Sequence, residues 1–453
     1  MKSCKQLYSV QAIQNLVANT KSKMHKHLNA DAMFKVIRQD FGKIADHRAK
    51  NSKIPMGDIL MSGFAMFSLK DPSLLAFDKR RCDEPESLRG VYDIDVIPCD
   101  SQMRAALDPI SPASLRQPFL TLFHYTQCGK ALEKFKWLDN SYLLALDGTG
   151  IYSSKNVSSP YCMKKRKKNG ITEYYQQMLA AAIINPNMKE VLPLCPEMIV
   201  KQDGSKKQDC ERNATRRWLE KFRQEHPHLK CVVIEDGLSS NGPHIKDLME
   251  YDLGFILGAK QKDHVYLFEQ MDKALDAGQA MEFSQASDDK PGVTHTFRFV
   301  NGLALNKSHP NLLVNMLEYW QIDTQGKELY FSWVTDRLLT NNDVYQVMRA
   351  GRARWRIENE TFNTLKNQGY NLGHNYGLGK EHLSAVFIHL MMLAFLVDQI
   401  QQLCCPLFQA AWQKCQSKIY LWECIKSTLK MFIVPSMEVI LRVIATNMKI
   451  LLH

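Results

Sequence analysis

The chain has 453 residues, of which 45% are hydrophobic and 23% are charged, which excludes a disordered or fibrous protein and allows two or three folded domains. Its 58 Lys and Arg outnumber its 47 Asp and Glu, and the net charge is +11. This excess favours a polyanionic partner such as nucleic acid over an acidic protein or a neutral metabolite.

The cysteines and the apolar segments predict a soluble cytoplasmic protein. None of the 12 cysteines forms a C-x-x-C pair, and the adjacent Cys404 and Cys405 suit neither a zinc site nor a disulfide, so we expect reduced thiols. Residues 1–6 lead into an amphipathic segment rather than the apolar core of a signal peptide. The longest apolar stretch, 385–397, is too short to span a bilayer and predicts a buried helix.

Residues 1–135 are predicted to form a helical N-terminal domain. Amphipathic runs lie near Ala30–Phe41, 56–67 and 111–125, with prolines between them. Ser101 and Ser111 are predicted N-caps, because a serine hydroxyl accepts a hydrogen bond from a free backbone N–H at a helix start.

From residue 136 the pattern changes to that of an α/β core. Strand-like runs at 142–153, 173–184 and 190–200 precede a charged helix (209–226), a strand (Cys231–Glu235), a helix (243–249) and a short strand (Gly254–Gly258). This is the element order of an RNase H-like sheet. The predicted divisions are a first part of the core (136–264), a mostly β insertion (265–330), a second part of the core (331–380) and a C-terminal helical region (381–453).

Three acids stand where a shared metal site would need them. Asp147 ends an apolar run in the first predicted strand, and Asp236 follows the fourth. Glu358 lies four residues after Arg354 and eight before Lys366, so a regular helix would present all three from one face. Carboxylates are the ligands that hard cations such as Mg²⁺ prefer, and two such ions can activate a nucleophile and stabilise a leaving oxygen in phosphodiester cleavage.

Each acid also has a purely structural interpretation. Asp147 precedes Gly-Thr-Gly and Asp236 precedes a glycine, so either can end a strand in a turn. Glu358 by itself predicts a surface salt bridge with Arg354. Glu360 is an alternative third acid, with Arg356 four residues before it. The occurrence of the acids in this order and on these elements favours the catalytic interpretation.

The block Arg354-Trp355-Arg356-Ile357-Glu358, with the later Lys366, resembles the third-acid motif of DDE transposases from bacterial insertion sequences. The group is the insertion-sequence-four-like one, whose signature is tyrosine, two residues, arginine, three residues, glutamate, six residues, lysine. Asp147 and Asp236 resemble its first and second acids. The resemblance covers about residues 140–380 of the chain.

The resemblance implies an RNase H-like core in which Asp147, Asp236 and Glu358 are catalytic and bind two Mg²⁺ ions, for which Mn²⁺ can substitute. It implies cut-and-paste transposition, in which the ends of the element are cleaved from double-stranded DNA and the 3′-OH ends are transferred into target DNA. A homodimer is expected in the DNA complex, because two ends must be held together. The expected location is the bacterial cytoplasm, in association with the nucleoid, and no membrane partner is expected.

Two positions depart from the family signature. Gly351 stands where the tyrosine is expected, and Leu365 stands where the lysine is expected, with Lys366 one residue later. In the family these side chains grip the 5′ phosphate and the strand end during hairpin formation, so the excision route stays open, whereas hydrolysis and strand transfer need only the acids. Trp333 is a candidate to stack an extruded base, or else a core tryptophan.

Clusters of cations predict DNA contacts. The predicted DNA-binding residues are Arg354, Arg356, Lys366, Trp333, Arg216, Arg217 and the run Lys164, Lys165, Arg166, Lys167 and Lys168. The five-cation run is expected in a hairpin beside the Asp147 strand, where the alternative is a solvated loop. Lys206 and Lys207 extend the patch of Arg216 and Arg217. End recognition is assigned to the N-terminal domain, around residues 102–104 and Arg116, where no helix-turn-helix pattern is sharp.

Two alternative functions stay open beside an active transposase. One is a DNA-binding descendant that has lost catalysis, and the presence of all three acids argues against it. The other is an RNase H-like nuclease that cuts without strand transfer, which short inverted repeats flanking the gene would distinguish.

Overall fold

The computed structural model describes residues 26–201, 209–287 and 290–446. In this part of the chain six helices precede the sheet: α1 (Ala30–Phe41), α2 (Met56–Ser68), α3 (Leu74–Asp83), α4 (Pro85–Tyr92), α5 (Asp100–Leu107) and α6 (Arg116–Cys128). Two of the predicted helical runs coincide with α1 and α2. The third divides into a short 3₁₀ turn at Pro112–Leu115 and α6. Residues 1–25 of the predicted N-terminal domain lie outside the described residues.

The prediction of Ser101 as an N-cap was wrong. Helix α5 begins at Asp100, and the N–H of Cys99 donates to Oε1 of Gln102 at 3.0 Å, so the capping interaction forms two residues earlier. Ser111 does precede the 3₁₀ turn, but its side chain makes no capping hydrogen bond. In both cases the sequence pattern predicted the region in which a helical segment begins. Which side chain caps that segment depends on the local geometry.

Twelve strands of the described chain form one mixed sheet. They are β1 (Lys136–Trp137), β2 (Ser141–Ser154), β3 (Met163–Arg166), β4 (Thr172–Ile184), β5 (Leu192–Pro193), β6 (Glu197–Ile199), β7 (Cys231–Glu235), β8 (Gly254–Gly258), β9 (Met281–Ala286), β10 (Thr294–Asn306), β11 (His309–Ile322) and β12 (Glu328–Thr335). The main order is β3-β4-β2-β7-β8-β12-β11-β10-β9, with β1 beside β2, and β5 and β6 beside β4. The structure is therefore a mixed α/β fold built on a large mixed sheet.

The centre of this sheet is parallel. β2 pairs in parallel with β7, and β7 with β8, whereas β4 is antiparallel to β2. The helices α7 (Glu211–Glu225) and α8 (Gly242–Glu250) make the crossovers that parallel neighbours require. The predicted third strand, 190–200, is instead two short strands, because Pro193 and Pro196 cannot donate to a ladder.

The predicted β insertion extends the same sheet. It begins with a helix that the sequence pattern did not predict, α9 (Val265–Asp276), and continues with the antiparallel strands β9 to β12. The last of these pairs with β8, so that the insertion is continuous with the parallel centre. This pairing places the aromatic residues of β12 near the edge of the sheet at which β7 and β8 end.

The segment that carries Glu358 is not one regular helix, so the prediction that Arg354, Glu358 and Lys366 share a helical face was wrong. Helix α10 (Val344–Arg352) ends in tight turns, in which the N–H of Arg354 donates to the carbonyl of Gly351 at 3.3 Å. A π-helical turn at Ile357–Phe362 follows, and then α11 (Asn363–Asn367). Because the π-helix bonds residues five apart, it changes the direction of every later side chain.

The C-terminal helices α12 (Leu383–Cys404), α13 (Pro406–Cys415), α14 (Lys418–Met431) and α15 (Met437–Thr446) pack with the N-terminal ones. Helix α12 is longer than the predicted apolar stretch 385–397, and among the described residues it alone is long and apolar enough to cross a bilayer, so the expectation that it is too short was wrong. The prediction of a buried helix is confirmed, since 94% of that window is buried in the protein. A buried ion pair joins its Asp398 to Lys70 after α2, with a distance of 2.5 Å between Oδ2 and Nζ. The two ends of the described chain thus share one hydrophobic core.

Candidate active site

Asp147 and Asp236 lie beside each other at the parallel centre of the sheet. Ala145 of β2 is opposite Ile234 of β7, so Asp147 and Asp236, two residues further along parallel strands, occupy matched positions. β7 ends one residue before Asp236, whose Oδ1 accepts a hydrogen bond from the N–H of Leu238 at 2.9 Å. Asp236 therefore has the turn-forming role that the structural alternative describes. The corresponding interpretation of Asp147 was wrong, because β2 continues through this residue to Ser154 and Asp147 pairs with Ala180 of β4.

Arg354 joins the third predicted acid to the first. Its guanidinium donates to Oδ2 of Asp147 at 3.1 Å and lies 2.7 Å from Oε1 of Glu358. Arg354 and Asp147 are 207 residues apart in the chain, so only folding brings them together. The salt bridge between Arg354 and Glu358 is present, as the structural alternative predicts. The same guanidinium also contacts Asp147, so it bridges the two carboxylates.

The carboxyl group of Asp147 is mostly buried, with one cation and two further carboxylates near it. Burial raises the pKa of Asp147 to about 7, and the Arg354 guanidinium opposes this shift. The carboxylates of Glu211 and Glu358 raise this pKa further. The pKa of Glu211 is itself raised, first by burial and then by the two carboxylates at the end of β7. A cation in this position would therefore be stabilised.

The donor set fits a hard divalent cation in its chemistry, because it consists of carboxylate oxygens. In the part of the chain that the structure describes, no three acids, histidines or cysteines lie close enough together to enclose an ion. Arg354 stands between Asp147 and Glu358 and is the counter-ion of both. Full enclosure of a cation would require its guanidinium to turn away from the carboxylates.

Glu211 belongs to this acid cluster, although the sequence reasoning missed it. It is the first residue of α7, and its Oε2 lies 2.5 Å from the position that a Cβ on residue 148 would occupy. The N–H of Gly148 donates to Oδ1 of Asp147 at 2.9 Å, and a hydrogen bond from the same N–H lowers the pKa of Glu211. An acid at the start of a helix is common, so the sequence signal alone does not separate Glu211 from an ordinary helix terminus.

A cavity of about 730 Å³ opens beside Asp236, between the end of β8, β12 and the turn after α10. Its lining combines aromatic and cationic side chains: Tyr330, Phe331, Trp333, Trp355, Lys260, Arg352 and Arg354. The guanidinium of Arg352 lies 5.1 Å from the centre of the Phe331 ring, a cation–π contact. This combination suits a planar ring attached to a phosphate.

Trp333 and Gly351 are packed against each other in the wall of this cavity. A Cβ at residue 351 would lie 2.5 Å from Nε1 of Trp333, so no side chain fits at the position of the signature tyrosine. Trp333 is only 5% exposed and is stacked on Phe331 with an interplanar angle of 8°, whereas Trp355 is 54% exposed. Of the two interpretations of Trp333, the buried core tryptophan is therefore the one observed. The accessible aromatic face in this cavity belongs to Trp355.

Glu360 points to a different part of the molecule from Glu358. Its Oε1 lies 3.3 Å from Nη1 of Arg356, whose other terminal nitrogen donates to the carbonyl of Pro186 at 3.1 Å. Glu360 also lines a separate polar cavity of about 390 Å³ with Lys418. Of the two alternative third acids, only Glu358 is linked to the other predicted acids, and Arg356 has a structural role.

The one-residue displacement of the lysine coincides with the π-helical turn. Leu365 is fully buried, whereas the side chain of Lys366 is exposed and makes no ion pair or hydrogen bond with another described residue. A π-helical turn contains one residue more than an α-helical turn, so the side chain that points towards solvent after it is one residue later in the sequence. Lys366 thus takes the exposed orientation that an uninterrupted helix would give to residue 365.

The five-cation run lies at an exposed edge of the sheet. β3 carries Lys164, Lys165 and Arg166, and Lys167 and Lys168 follow in the turn. β3 is separated from the strand of Asp147 only by β4. All five side chains are exposed, and of these Lys167 lies 3.1 Å from Glu173. The run forms a basic edge two strands away from the acids.

The second predicted cation patch is largely used in internal ion pairs. Arg217 contacts Glu197 at 3.0 Å and Asp209 at 2.7 Å, and its guanidinium is partly buried. Arg216 pairs with Asp247 at 2.9 Å but is mostly exposed. Lys206 and Lys207 lie outside the described residues. The DNA-binding role of Arg216 and Arg217 stays a prediction, which Arg216 suits better.

The N-terminal residues expected near DNA also have structural partners. Gln102 caps α5, and Arg104 pairs with Asp100 at 2.5 Å. Arg116 donates to Oε2 of Glu225 at 2.7 Å. Recognition of DNA ends by this region stays a prediction.

Comparisons with known proteins give little further information. No protein-family model matches the chain, and the search of curated proteins found no match. One similar solved structure is the cryo-EM structure of a piggyBac transposase synaptic complex with hairpin DNA, at 12% sequence identity and a TM-score of 0.42. The alignment covers 94% of this chain and 87% of that one. This score is too low to assign a fold family or an activity to this chain.

Proposed function

We propose that this chain is a DDE transposase of the insertion-sequence-four-like group, with Asp147, Asp236 and Glu358 as its catalytic acids. The observation that carries the proposal is the guanidinium of Arg354, which contacts both Asp147 and Glu358. Residues of the first strand and of the R-W-x-I-E block, far apart in the chain, thereby meet beside Asp236. A surface salt bridge within one helix would not require this meeting.

The strand order supports an RNase H-like core for the proposed enzyme. Three parallel strands, β2, β7 and β8, carry the antiparallel β4 on one side, and the short strands β5 and β6 pair with β4. Ligands and catalytic groups in such α/β sheets lie at the carboxyl ends of parallel strands. Asp236 is in that position, and Asp147 is level with it.

The proposed chemistry needs a hard cation and a phosphate contact. Asp147, Asp236 and Glu358 would hold two Mg²⁺ or Mn²⁺ ions, which supply activation of the attacking oxygen and charge stabilisation of the leaving oxygen. Once its carboxylate partners bind cations, Arg354 is available for the scissile phosphate, for which the planar guanidinium is well suited. The raised pKa of Asp147 indicates that the site tolerates full ionisation poorly without added positive charge.

The proposed reaction has two steps at phosphorus. In the first, a water oxygen bonds to the phosphorus at the end of the element, the bond to the 3′ oxygen breaks, and that oxygen leaves as a 3′-OH. In the second, this 3′-OH bonds to a target phosphorus and displaces a second 3′ oxygen. Neither step uses a tyrosine at residue 351, so the packing of Gly351 against Trp333 does not affect them.

The DNA would lie across the basic edge and the acid cluster. The exposed run from Lys164 to Lys168 would contact phosphates without reading sequence. Lys366 would contact a phosphate on the other side of Glu358. In the aromatic cavity, an extruded base would stack on Trp355, whose face is accessible, and Trp333 would form the wall. Two chains would act as a homodimer on two ends of the element, in the bacterial cytoplasm.

Strand cleavage tests the proposal directly. A DNA fragment carrying the gene with its flanks is incubated with Mg²⁺ or with EDTA, using the wild-type protein, the Asp236→Asn variant and the Glu360→Gln variant. We expect metal-dependent cuts at two positions that bracket the gene, absent with Asp236→Asn and retained with Glu360→Gln. Salt-sensitive DNA binding without any cut by the wild-type protein would instead identify a DNA-binding descendant. Cuts that never join to target DNA would identify a nuclease.

A further inference from the structure

The polar cavity of about 390 Å³ is separate from the acid cluster and from the aromatic cavity beside Asp236. Four parts of the chain enclose it: the loop before β5, the segment 360–368, helix α12 and the region where α13 ends and α14 begins. Its volume lies within the range of about 300–1,000 Å³ that is usual for small-molecule sites. Most of the side chains that line it carry an amide, a hydroxyl or a charge, so the ligand that fits it is polar.

Two buried polar side chains line this cavity without a partner. Gln402 is 8% exposed and Thr364 is 7% exposed, and neither the amide of the first nor the hydroxyl of the second makes a hydrogen bond with another described residue. The hydrogen bond that Gln409 donates to residue 402 goes to the backbone carbonyl. By contrast, the amide oxygen of Gln399 accepts from the N–H of Val191 at 3.1 Å. Burying an unpaired amide or hydroxyl is unfavourable, so Gln402 and Thr364 favour a ligand that hydrogen-bonds with them.

Lys418 supplies a positive charge in the wall of the cavity. Its Nζ lies 4.7 Å from the centre of the Trp412 ring, and no carboxylate of the described chain is within salt-bridge distance of it. Burial lowers the pKa of Lys418, and the charge of Glu190 opposes this shift, so an anion beside the amine would stabilise its charged form. The backbone of Lys418 and Ile419 begins α14 at the same wall, and N–H groups in a first turn have no acceptor within their helix. These donors suit one anionic group.

Two carboxylates limit the charge that the cavity can accept. Glu190 and Glu360 both line it, and Arg356, 3.3 Å from Glu360, balances only the second. A triphosphate would be repelled, whereas the hydroxyl and amino groups of a ligand can donate to these oxygens. The amide of Gln402 presents a donor and an acceptor side by side, a pattern that the edge of a nucleobase complements. A phosphate monoester, sugar hydroxyls and a base together supply the groups that the cavity lacks.

We propose that the polar cavity binds a nucleoside 5′-monophosphate, with its phosphate at Lys418 and its base edge at Gln402. A free nucleotide and the 5′-phosphorylated end of a DNA strand both supply this chemistry. The inference goes beyond the proposed function, because it requires neither a metal ion nor the acid cluster. Since Glu360 and Thr364 lie in the segment that follows Glu358, an occupied cavity would also stabilise the segment that carries the third proposed acid.

The test is titration calorimetry of the full chain in EDTA, so that no metal ion contributes. The probes are deoxyadenosine 5′-monophosphate, deoxyadenosine, inorganic phosphate, and a single-stranded oligonucleotide with and without a 5′-phosphate. The proteins are wild type, Lys418→Met and Gln402→Leu, with Lys430→Met and Gln413→Leu as exposed controls on α14 and α13. Urea midpoints verify folding, and Gln402→Leu should be at least as stable as wild type, because it removes an unpaired buried amide.

We expect wild type to bind the monophosphate about tenfold or more tightly than either deoxyadenosine or inorganic phosphate, because each of these lacks half of the contacts. Lys418→Met should weaken the monophosphate by about tenfold and leave deoxyadenosine unchanged. Gln402→Leu should weaken both by about tenfold, and the two controls should match wild type. Tighter binding of the phosphorylated oligonucleotide, lost in Lys418→Met, would identify a strand end as the source. Binding of the monophosphate alone would identify a free nucleotide.

Three results would overturn the inference. The first is wild-type protein that neither binds the monophosphate nor distinguishes the two oligonucleotides. The second is inorganic phosphate that binds as tightly as the monophosphate, which would leave a simple anion site. The third is binding that both cavity variants retain, and its loss in Trp355→Ala would assign the nucleotide to the aromatic cavity instead. Cleavage of DNA with Mg²⁺ by a protein that fails this test would leave the transposase proposal standing, and nucleotide binding without cleavage would leave only the present one.

Discussion

Replacing Gly351 by alanine tests whether packing against Trp333 excludes a side chain at this position. The added Cβ would lie 2.5 Å from Cε2 and Nε1 of Trp333, well inside van der Waals contact. The indole is buried and stacked on Phe331, so it cannot swing into solvent. A ring displacement of about 1 Å is needed, which cores tolerate poorly.

The expected change in the free energy of unfolding combines two opposing effects. Gly351 lies within α10, where alanine is favoured over glycine by about 1 kcal/mol. Overpacking a filled core costs about 1–3 kcal/mol, and a contact this short favours the upper part of that range. The net expectation for Gly351→Ala is a destabilisation of about 1–2 kcal/mol. In a Trp333→Ala background the clash is absent, and the same substitution should stabilise by about 1 kcal/mol.

Urea denaturation of the four proteins of this cycle measures the effect, with Gly150→Ala as a control, since a Cβ at residue 150 meets nothing within 4 Å. The decisive result is the change of sign between the two backgrounds. A Gly351→Ala variant as stable as wild type, or one destabilised equally in both backgrounds, would refute the packing argument. The signature tyrosine would then be absent for another reason.

Three further perturbations follow from the charges in the structure. Burial raises the pKa of Asp147 from 3.8 to about 7, so the folded protein retains a proton that the unfolded chain loses, and this stability is lost as the pH rises through 7. In EDTA, wild type should therefore lose about 2 kcal/mol relative to Asp147→Asn between pH 5 and 8 in urea titrations, and a constant difference would contradict the pKa. Lys70→Met leaves Asp398 buried without its cation and should cost about 3–5 kcal/mol by urea midpoint. A loss of less than about 1 kcal/mol, typical of exposed pairs, would show that Asp398 finds another partner. Lys168→Ala should reduce the slope of log affinity for DNA against log salt by about 1 in fluorescence anisotropy, whereas Arg217→Ala, whose cation is already paired, should leave the slope unchanged. A reduced slope with Arg217→Ala and an unchanged slope with Lys168→Ala would indicate that DNA binds along α7 rather than along the basic edge.

The sequence by itself determined the elements whose signals are local. Ala30–Phe41, Cys231–Glu235 and Gly254–Gly258 are observed at their predicted bounds, because apolar periodicity and flanking turn residues act within a few positions of the chain. The same signals located Asp236 directly after β7, whereas Asp147, which the Gly-Thr-Gly sequence could have placed in a turn, lies inside β2.

Only the tertiary structure decided how distant residues share space. It placed Glu211 over Gly148, and it placed Trp333 against Gly351, contacts for which the local sequence contains no signal. It also changed the helix after Arg354 into a π-helical turn, which one-face reasoning from a regular helix cannot anticipate. Hydrophobic periodicity records whether a side chain is buried, but not which partner it meets, because the partner is set by the packing of elements that lie far apart in the chain.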